Sequence, residues 1–595
     1  MIRLSLAAII TVLFILQHIS SQFAVAVNRA AIQSDQSSAR APATASAGEA
    51  ITGLVLDDNG QPVEGAQIII DRVGIRNQMQ FINTDDAGRF KTPGLAPGLY
   101  AMEVHWPGYI IQPESTQPGM HRAGERLTFN MVKGGVITGR VTDTNGEPVV
   151  SDHVNANRLR DLDGRRTTPG YGGGRTDDRG VYRMYGLEPG LYIISVKAGS
   201  GVYVVGAETG DDTPTYYPSS ARDTAVEITV RAGEEVSGIN IQLRGERGHA
   251  ISGIVSGDIG TGDTVEGVEV KLVNVSSDAI EKTANLYRST RFAMYGIPDG
   301  EYEIYAQKLN SQDGNAGSVL RRVVLKGADL VGVDLKLIKY GSISGRVVID
   351  SAKADQPATR CEGQARFQLE EIMLDARSDN PTRRRQDQFF KPDEYWGSWR
   401  GSVVDQKGVF AIQNLEQGLY RLNVNLPGAN WFVRSIAQPA ASAPKKYAEI
   451  SRSGIAIKSG ERLTGVEVII AEGAASLRGR AVPLYGTQSK DRAAPAPRLQ
   501  IHLLPAEESA KDDLLRYAET IAGKNGSFEF KNLAPGKYWL LARLAPSFES
   551  DEIQTRPVAW DESQRVKLRR DAKKNEIELK PCQRLDDFAL KAPLP

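Results

Sequence analysis

The chain has 595 residues, with 72 Lys plus Arg against 72 Asp plus Glu, 59 Gly, 29 Pro and two Cys. That length exceeds what one hydrophobic core serves and implies several domains. Zero net charge excludes the global basic field that draws a protein to nucleic acid or to an anionic membrane, and so few cysteines exclude a disulfide framework.

The first predicted element is an export signal. Arg3 precedes an apolar run from Leu4 to Leu16, followed by polar residues and then the small residues Ala24 and Ala26. The run is short of the roughly 20 residues that cross a bilayer, so residues 1–26 read as a signal peptide cleaved after Ala26. Residues 27–48 lack large apolar side chains apart from Ile32 and read as a disordered linker. No later segment is apolar for long enough to span a membrane, so the mature chain is expected outside the cytoplasm: periplasmic, at the cell surface, or extracellular.

From Asp86 onward the chain repeats itself. "DAGRFKTPGLAPGLYAMEV" is followed at Asp178 by "DRGVYRMYGLEPGLYIISV". The frame occurs five times. An aromatic (Phe90, Tyr182, Phe292, Phe410, Phe528) is followed at a fixed distance by an aliphatic (Leu95, Leu187, Ile297, Leu415, Leu533) and then by a tyrosine (Tyr100, Tyr192, Tyr302, Tyr420, Tyr538). A glycine stands two residues before each tyrosine: Gly98, Gly190, Gly300, Gly418 and Gly536. Pro-Gly pairs such as Pro97-Gly98 predict a type II turn with the glycine at positive φ. After the turn, Tyr100, Met102 and Val104 alternate with polar residues, the period of a half-buried strand.

Each frame has a predicted opening strand ("ITGLV", "ITGRV", "ISGIV", "ISGRV", "LRGRA") and a predicted closing strand ("LTFNM", "INIQL", "VDLKL", "VEVII", "IELK"). The D-x-N-G turns at Asp57–Gly60 and Asp143–Gly146 suit hairpins. Units of about 90–130 residues built this way predict all-β architecture: a tandem array of five antiparallel Greek-key β-sandwich modules. Their limits are 49–134, 135–246, 247–339, 340–472 and 473–595, and short links favour beads on a string. Cys361 and Cys582 fall in different modules. Two free thiols are expected there rather than a bridge, because pairing demands a particular separation and orientation.

"ITGLVLDDNGQPVEGAQIII" with "TDDAGRFKTPGLAPGLYAMEV" resembles the carboxypeptidase regulatory-like domain, a relative of transthyretin-like and Cna protein B-type sandwiches. The resemblance covers nearly the whole mature chain and is weakest in the third copy. It implies seven-stranded sandwiches in tandem on exported, often bacterial, proteins. In metallocarboxypeptidases the domain is an accessory without an active site, and it is grouped with carbohydrate-binding-like folds. The internal Lys–Asn isopeptide bond of Cna B-type modules is not implied here, since Arg140 and Arg346 stand where the lysine would be.

Chemistry-bearing motifs are sparse. The histidines His105, His121, His153, His249 and His502 are scattered, without the spacing of a zinc site. Ile343 stands where "GSISG" would need its nucleophile, and "GDIGTG" at Gly257 fits neither nucleotide-binding loop. Acidic turns at Asp161–Gly164 and beside Thr84 and Thr176 could ligate Ca²⁺, but such side chains more often bond their own turn backbone. The fourth module carries an insertion, residues 380–400, with Arg383, Arg384, Arg385, Tyr395, Trp396 and Trp399 as candidate ligand-binding residues. Aromatic faces among charges suit a stacked sugar or a protein hot spot, and the arginines an anionic glycan; the favoured alternative is a loop folded over its own sandwich.

The expected function is therefore that of a secreted, non-enzymatic spacer or adhesion-type scaffold, with no cofactor and no metal. The alternative is a carbohydrate-binding protein working through the loops of module four. The expected partner is a polysaccharide or another surface protein, and not nucleic acid.

Overall fold

The computed structural model describes residues 48–75, 79–112, 120–164, 171–196, 212–257, 267–276, 280–309, 315–350, 361, 368–379, 401–440, 443–483, 498–523, 525–545, 557–572 and 575–592. The signal peptide and linker expected at 1–48 thus lie, apart from Gly48, outside the described residues.

Strands and turns dominate, and the strands gather in five groups, each around its own apolar cluster. In the first, Arg89–Lys91, Thr52–Leu56, Arg126–Lys133 and Tyr109–Ile111 form one sheet, and Gln80–Asn83, Gln67–Arg72, Leu99–His105 and Met120–Arg122 the other. The core between them holds Ile51, Val55, Ile68, Ile70, Phe90, Tyr100 and Met131. In the third group the short strand Ala316–Ser318 pairs with both Gly300–Lys308 and Leu330–Lys339, so the two faces run on as one sheet.

The sandwiches are not wholly antiparallel. In all five groups the opening strand pairs in parallel with the closing strand: Thr52–Leu56 with Arg126–Lys133, His249–Gly257 with Leu330–Lys339, Gly341–Ile349 with Arg462–Glu472, and Ala475–Pro483 with Arg584–Ala592. In the second, Gly135–Thr142 pairs in parallel with two short pieces, Glu235–Val236 and Ile241–Gln242. Chain entry and exit therefore lie side by side in one sheet.

One residue of the opening strand explains this close approach. Gly53, Gly139, Gly253, Gly345 and Gly479 face Phe90, Tyr182, Phe292, Phe410 and Phe528 across the antiparallel side. A Cβ at any of the five would run into the backbone carbonyl of the closing segment, at Leu127, Ile239, Val333, Val466 or Phe588. In the last three groups the register also shifts at this glycine, a bulge that bends the strand. Beside Gly53 and Gly479 the facing ring, of Phe90 or Phe528, comes within 2.5 Å and 2.8 Å of where that Cβ would stand.

The repeated frame is a corner, not a hairpin. Its first strand (Arg89–Lys91, Val181–Leu187, Arg291–Ile297, Val409–Leu415, Ser527–Leu533) pairs with the opening strand. Its second strand (Leu99–His105, Gly190–Val196, Gly300–Lys308, Gly418–Asn425, Gly536–Leu544) pairs in the other sheet. The turn between them crosses the sandwich, and the tyrosine secures it. Tyr100, Tyr192, Tyr302, Tyr420 and Tyr538 are all buried, and each hydroxyl donates to the carbonyl four residues upstream: Ala96 at 2.7 Å, Glu188 at 2.7 Å, Pro298 at 2.9 Å, Glu416 at 2.9 Å and Ala534 at 2.6 Å. This is the tyrosine corner of β-sandwiches, repeated five times.

The turn chemistry departs from expectation at the glycines. Only Gly98 and Gly536 sit at positive φ, both at 146°. In two other copies space matters instead: a Cβ on Gly190 would meet the Arg160 carbonyl, and one on Gly300 would stand 3.3 Å from the Tyr302 ring; at Gly418 neither φ nor space requires a glycine. The D-x-N-G turns do form, with Asp57 and Asp143 accepting from the backbone N–H groups of Asn59, Gln61, Asn145 and Glu147. Each folds the chain back in a short antiparallel bridge, Leu56 with Pro62 and Thr142 with Pro148, before it crosses to the opposite sheet at Gln67–Arg72 and His153–Arg160.

The fifth group adds a helix, α1 (Glu562–Ala572), to the expected all-β plan. Leu568 and Ala572 pack on Leu504 and Leu541, on the face of the second sheet turned away from the main core. Contacts also reach beyond neighbouring groups, since Arg122 Nε lies 3.3 Å from Glu371 Oε2, joining the first to the fourth. Burial raises the Glu371 pKa above the usual carboxyl range, with Arg122 opposing it.

Candidate functional site

All six candidate ligand residues, Arg383, Arg384, Arg385, Tyr395, Trp396 and Trp399, lie outside the described residues. What the structure does describe is the chemistry of the turns and of the joints between groups.

The turn carboxylates are engaged by their own backbone. Asp85 Oδ1 accepts from Ala87 and Arg89, Asp177 Oδ1 from Arg179 and Val181, and Asp405 Oδ1 from Lys407 and Val409. Gly88, Gly180, Gly408 and Gly526 complete these turns at positive φ; the third copy has Thr290 instead, and the left-handed residue moves to Arg288. Thr84 Oγ1 accepts from Ala66 and donates to the Val63 carbonyl, while Thr176 Oγ1 accepts from Asp152. Backbone donors, first that of Gln61, hold the Asp57 pKa below its ordinary value; Asp143 is lowered in the same way, first by Glu147.

Four histidines lie beside carboxylates: His105 by Glu103, His121 by Glu125, His502 by Glu519, and His249 by Asp299 and, more distantly, Asp329. Among the described residues, no group of three or more His, Cys, Asp or Glu side chains is placed to hold a metal ion.

Three joints share one device. Just before the closing strand comes a tight turn whose N–H donates to the carbonyl at the end of the preceding group's closing strand. Gly233 bonds Lys133 at 2.7 Å, Gly460 bonds Lys339 at 2.9 Å, and Cys582 bonds Gly473 at 3.1 Å. The donors sit at φ of 70°, 67° and 61°. Side chains at matching positions brace the turn: Glu234 accepts from Arg231 N, Glu461 from Lys458 N, and Gln583 from Lys580 N.

The joint between the second and third groups is different. There Arg222 enters a cleft of about 250 Å³ lined by Asn274, Ser276, Glu281, Asp299 and Tyr302. Its Nη1 lies 3.5 Å from the buried Glu281 carboxylate and 3.3 Å from the Tyr216 hydroxyl. Burial raises the Glu281 pKa, with Arg222 and Lys282 opposing.

The joint between the fourth and fifth groups is the most heavily built. Asn532 Nδ2 donates to the carbonyls of Gly428 (2.7 Å) and Trp431 (2.8 Å), and Arg421 stacks 5.3 Å from the Trp560 ring. Leu515 of the fifth packs against the core of the fourth. A cleft of about 270 Å³ remains between them, lined by Arg377, Arg421, Tyr517 and Trp560 among others. Here the expectation of free thiols is overturned. Cys361 and Cys582 form a disulfide with their Cα atoms 5.4 Å apart. Assignment to separate modules argued against pairing only while those modules were taken to be apart; the joint brings the two cysteines together. A signal was present in the sequence, for Cys582 occupies the position filled by Gly124, Gly233, Gly327 and Gly460 in the other lead-in turns.

Comparison with known proteins adds the following. No curated protein matches the chain. Among solved structures it is similar to the TIE protein of Bacillus anthracis, at 15% identity over 48% of this chain, with a TM-score of 0.12. That match spans only about half (51%) of the TIE protein. The chain is also similar to GBS52, the minor pilin of Streptococcus agalactiae, at 14% identity over 33% of this chain and 94% of that one, with a TM-score of 0.18. A third similarity is to BcpA, the major pilin subunit of Bacillus cereus, at 11% identity over 48% and 99%, with a TM-score of 0.12. At the level of family, residues 50–131 match the model of the carboxypeptidase regulatory-like domain.

Proposed function

We propose that this chain is an exported, non-catalytic scaffold of five β-sandwich modules, bounded at 49–134, 135–246, 247–339, 340–472 and 473–595, that spaces and presents loop surfaces outside the cytoplasm. The observation that carries this reading is the joint device: in three of the four joints the turn before a module's closing strand is hydrogen-bonded to the last residue of the preceding module's closing strand or to the residue just after it. That is the construction of a chain whose modules are meant to be held in sequence. The tyrosine hydroxyls and turn carboxylates of the repeat bond their own backbone and serve the fold. Export through residues 1–26 is consistent with a disulfide, which persists in oxidising compartments. Many weak loop contacts would add through multivalency.

The test is calorimetric titration of residues 27–595 against a panel of plant and microbial polysaccharides, beside the Trp396→Ala/Trp399→Ala double variant. The scaffold reading expects no saturable heat from any glycan. Saturable binding abolished in the variant would replace it with the carbohydrate-binding alternative through the 380–400 insertion.

A further inference from the structure

The two cysteines of the chain are placed with economy. Cys582 stands in a turn where every other module has glycine, and it keeps that turn's left-handed backbone at φ 61°. Such a backbone is unfavourable for an L side chain, so packing alone favours glycine there. Its partner Cys361 has its own N–H held by Glu472 Oε1 at 3.0 Å, and Glu472 ends the fourth module's closing strand. Both sulfur atoms are thus positioned at the joint by groups that belong to the joint.

The connectivity has a mechanical meaning. The disulfide closes a loop with a sequence separation of 221. That loop contains nearly all of the fourth and fifth modules. Of the described strands of these two modules, only the opening strand of the fourth, Gly341–Ile349, and the closing strand of the fifth, Arg584–Ala592, lie outside it.

We propose that the Cys361–Cys582 bond is a clasp that joins the fourth and fifth modules into one body and carries tension past them. Force applied between the chain ends enters at Cys361, crosses the sulfur–sulfur bond and leaves at Cys582. Once Gly341–Ile349 and Arg584–Ala592 are peeled from their partner strands, residues 362–581 cannot be drawn out while the bond is closed. The clasp deepens the scaffold reading and rests on it for its purpose, but its test needs no partner or ligand.

That test is single-molecule extension of residues 27–595 held at both ends, without and with dithiothreitol. Dithiothreitol leaves as a cyclic disulfide, and each cysteine takes up one proton. The expected result is a final length shorter without reductant by roughly 700–800 Å, from 3.3–3.6 Å per extended residue over the closed loop. The Cys582→Gly variant restores the residue of the sibling turns and so keeps the joint foldable; it is expected to reach the full length with or without reductant. Cys361→Ser should behave likewise. Equal lengths for the wild type in the two conditions, or two thiols that alkylate without reduction, would overturn the clasp. Either result would leave the scaffold reading to its own calorimetric test.

Discussion

Tyr302 shows what a single residue does five times over in this chain. Its ring is 1% exposed, and its hydroxyl closes the corner on Pro298 O. Burial raises the phenol pKa of Tyr100, Tyr192, Tyr302 and Tyr538, to about 12 at Tyr538, so the donor proton of these four is retained across the physiological range. For Tyr420 the direct corner bond to Glu416 is the relevant observation. Tyr302→Phe keeps the ring and strands the carbonyl, and should cost about 1–2 kcal/mol, read as a lower denaturation midpoint of the third module. Gly253→Ala is the harsher change, because the added methyl meets the Val333 carbonyl where the two parallel strands touch. It should cost about 2–4 kcal/mol or prevent that module from folding, measured by the same denaturation curve.

The anchors were legible in sequence because a buried aromatic, aliphatic and tyrosine at fixed spacing can be compared within one chain. Their backbone roles were less legible. Gly190 looks like a turn glycine, yet what selects it is the proximity of the Arg160 carbonyl, on a strand distant in sequence. The insertion with Trp396 and Trp399 drew attention by composition alone, and composition carries no information about exposure.

At the scale of elements, alternation predicted strands well and predicted their pairing poorly. Period two says that one face is buried; it does not say which neighbour a strand takes. Hence the passage of the frame from one sheet to the other, and the parallel pairing of opening and closing strands, were not foreseen. Helix α1 escaped for another reason: Glu562–Ala572 is mostly charged, with Leu568 and Ala572 supplying most of its buried apolar contact. Leu568 is fully buried in that small cluster, so Leu568→Ala should cost about 2–3 kcal/mol, near the low end for a core leucine, and lower the melting temperature of the fifth module.

The strand Ile280–Leu286 carries a pH-dependent element at its second residue. Glu281 is buried, and burial raises its pKa despite Arg222 and Lys282. A carboxyl raised in the folded state contributes most below its unfolded pKa, near 4.5, and that contribution is lost as pH rises through the higher folded value. Glu281→Gln should therefore flatten the stability profile above about pH 4.5 and leave the third module at least as stable at pH 7, measured by denaturant titration across pH. The Asp57 and Asp143 turns act in the opposite sense, since their lowered pKa values give stability above the ordinary carboxyl range that is lost in acid.

For the whole molecule, the repeat made the number of sandwiches readable, while the joints were not. They depend on single hydrogen bonds from turns to the ends of preceding strands, on Asn532, and on one disulfide. Loop-closure entropy for a ring of this size is about 5 kcal/mol, and measured disulfide effects run from ~0 to 5 kcal/mol. Reduction should accordingly lower the melting temperature of the fourth and fifth modules and leave the first three unchanged, which differential scanning calorimetry with and without reductant would resolve.

The donor at each of the three bonded joints comes from the far end of the module that follows. Lys133 waits for Gly233, Lys339 for Gly460, and Gly473 for Cys582. The opening strand likewise waits for the closing strand to lie beside it in parallel. A chain emerging from its N-terminus into a new compartment can therefore neither finish a sheet nor seal the joint behind it until that module's final strand has come through. Each module closes as a complete unit, and the segment from Cys582 to Ala592 supplies both the closing strand of the fifth sandwich and one end of the covalent ring.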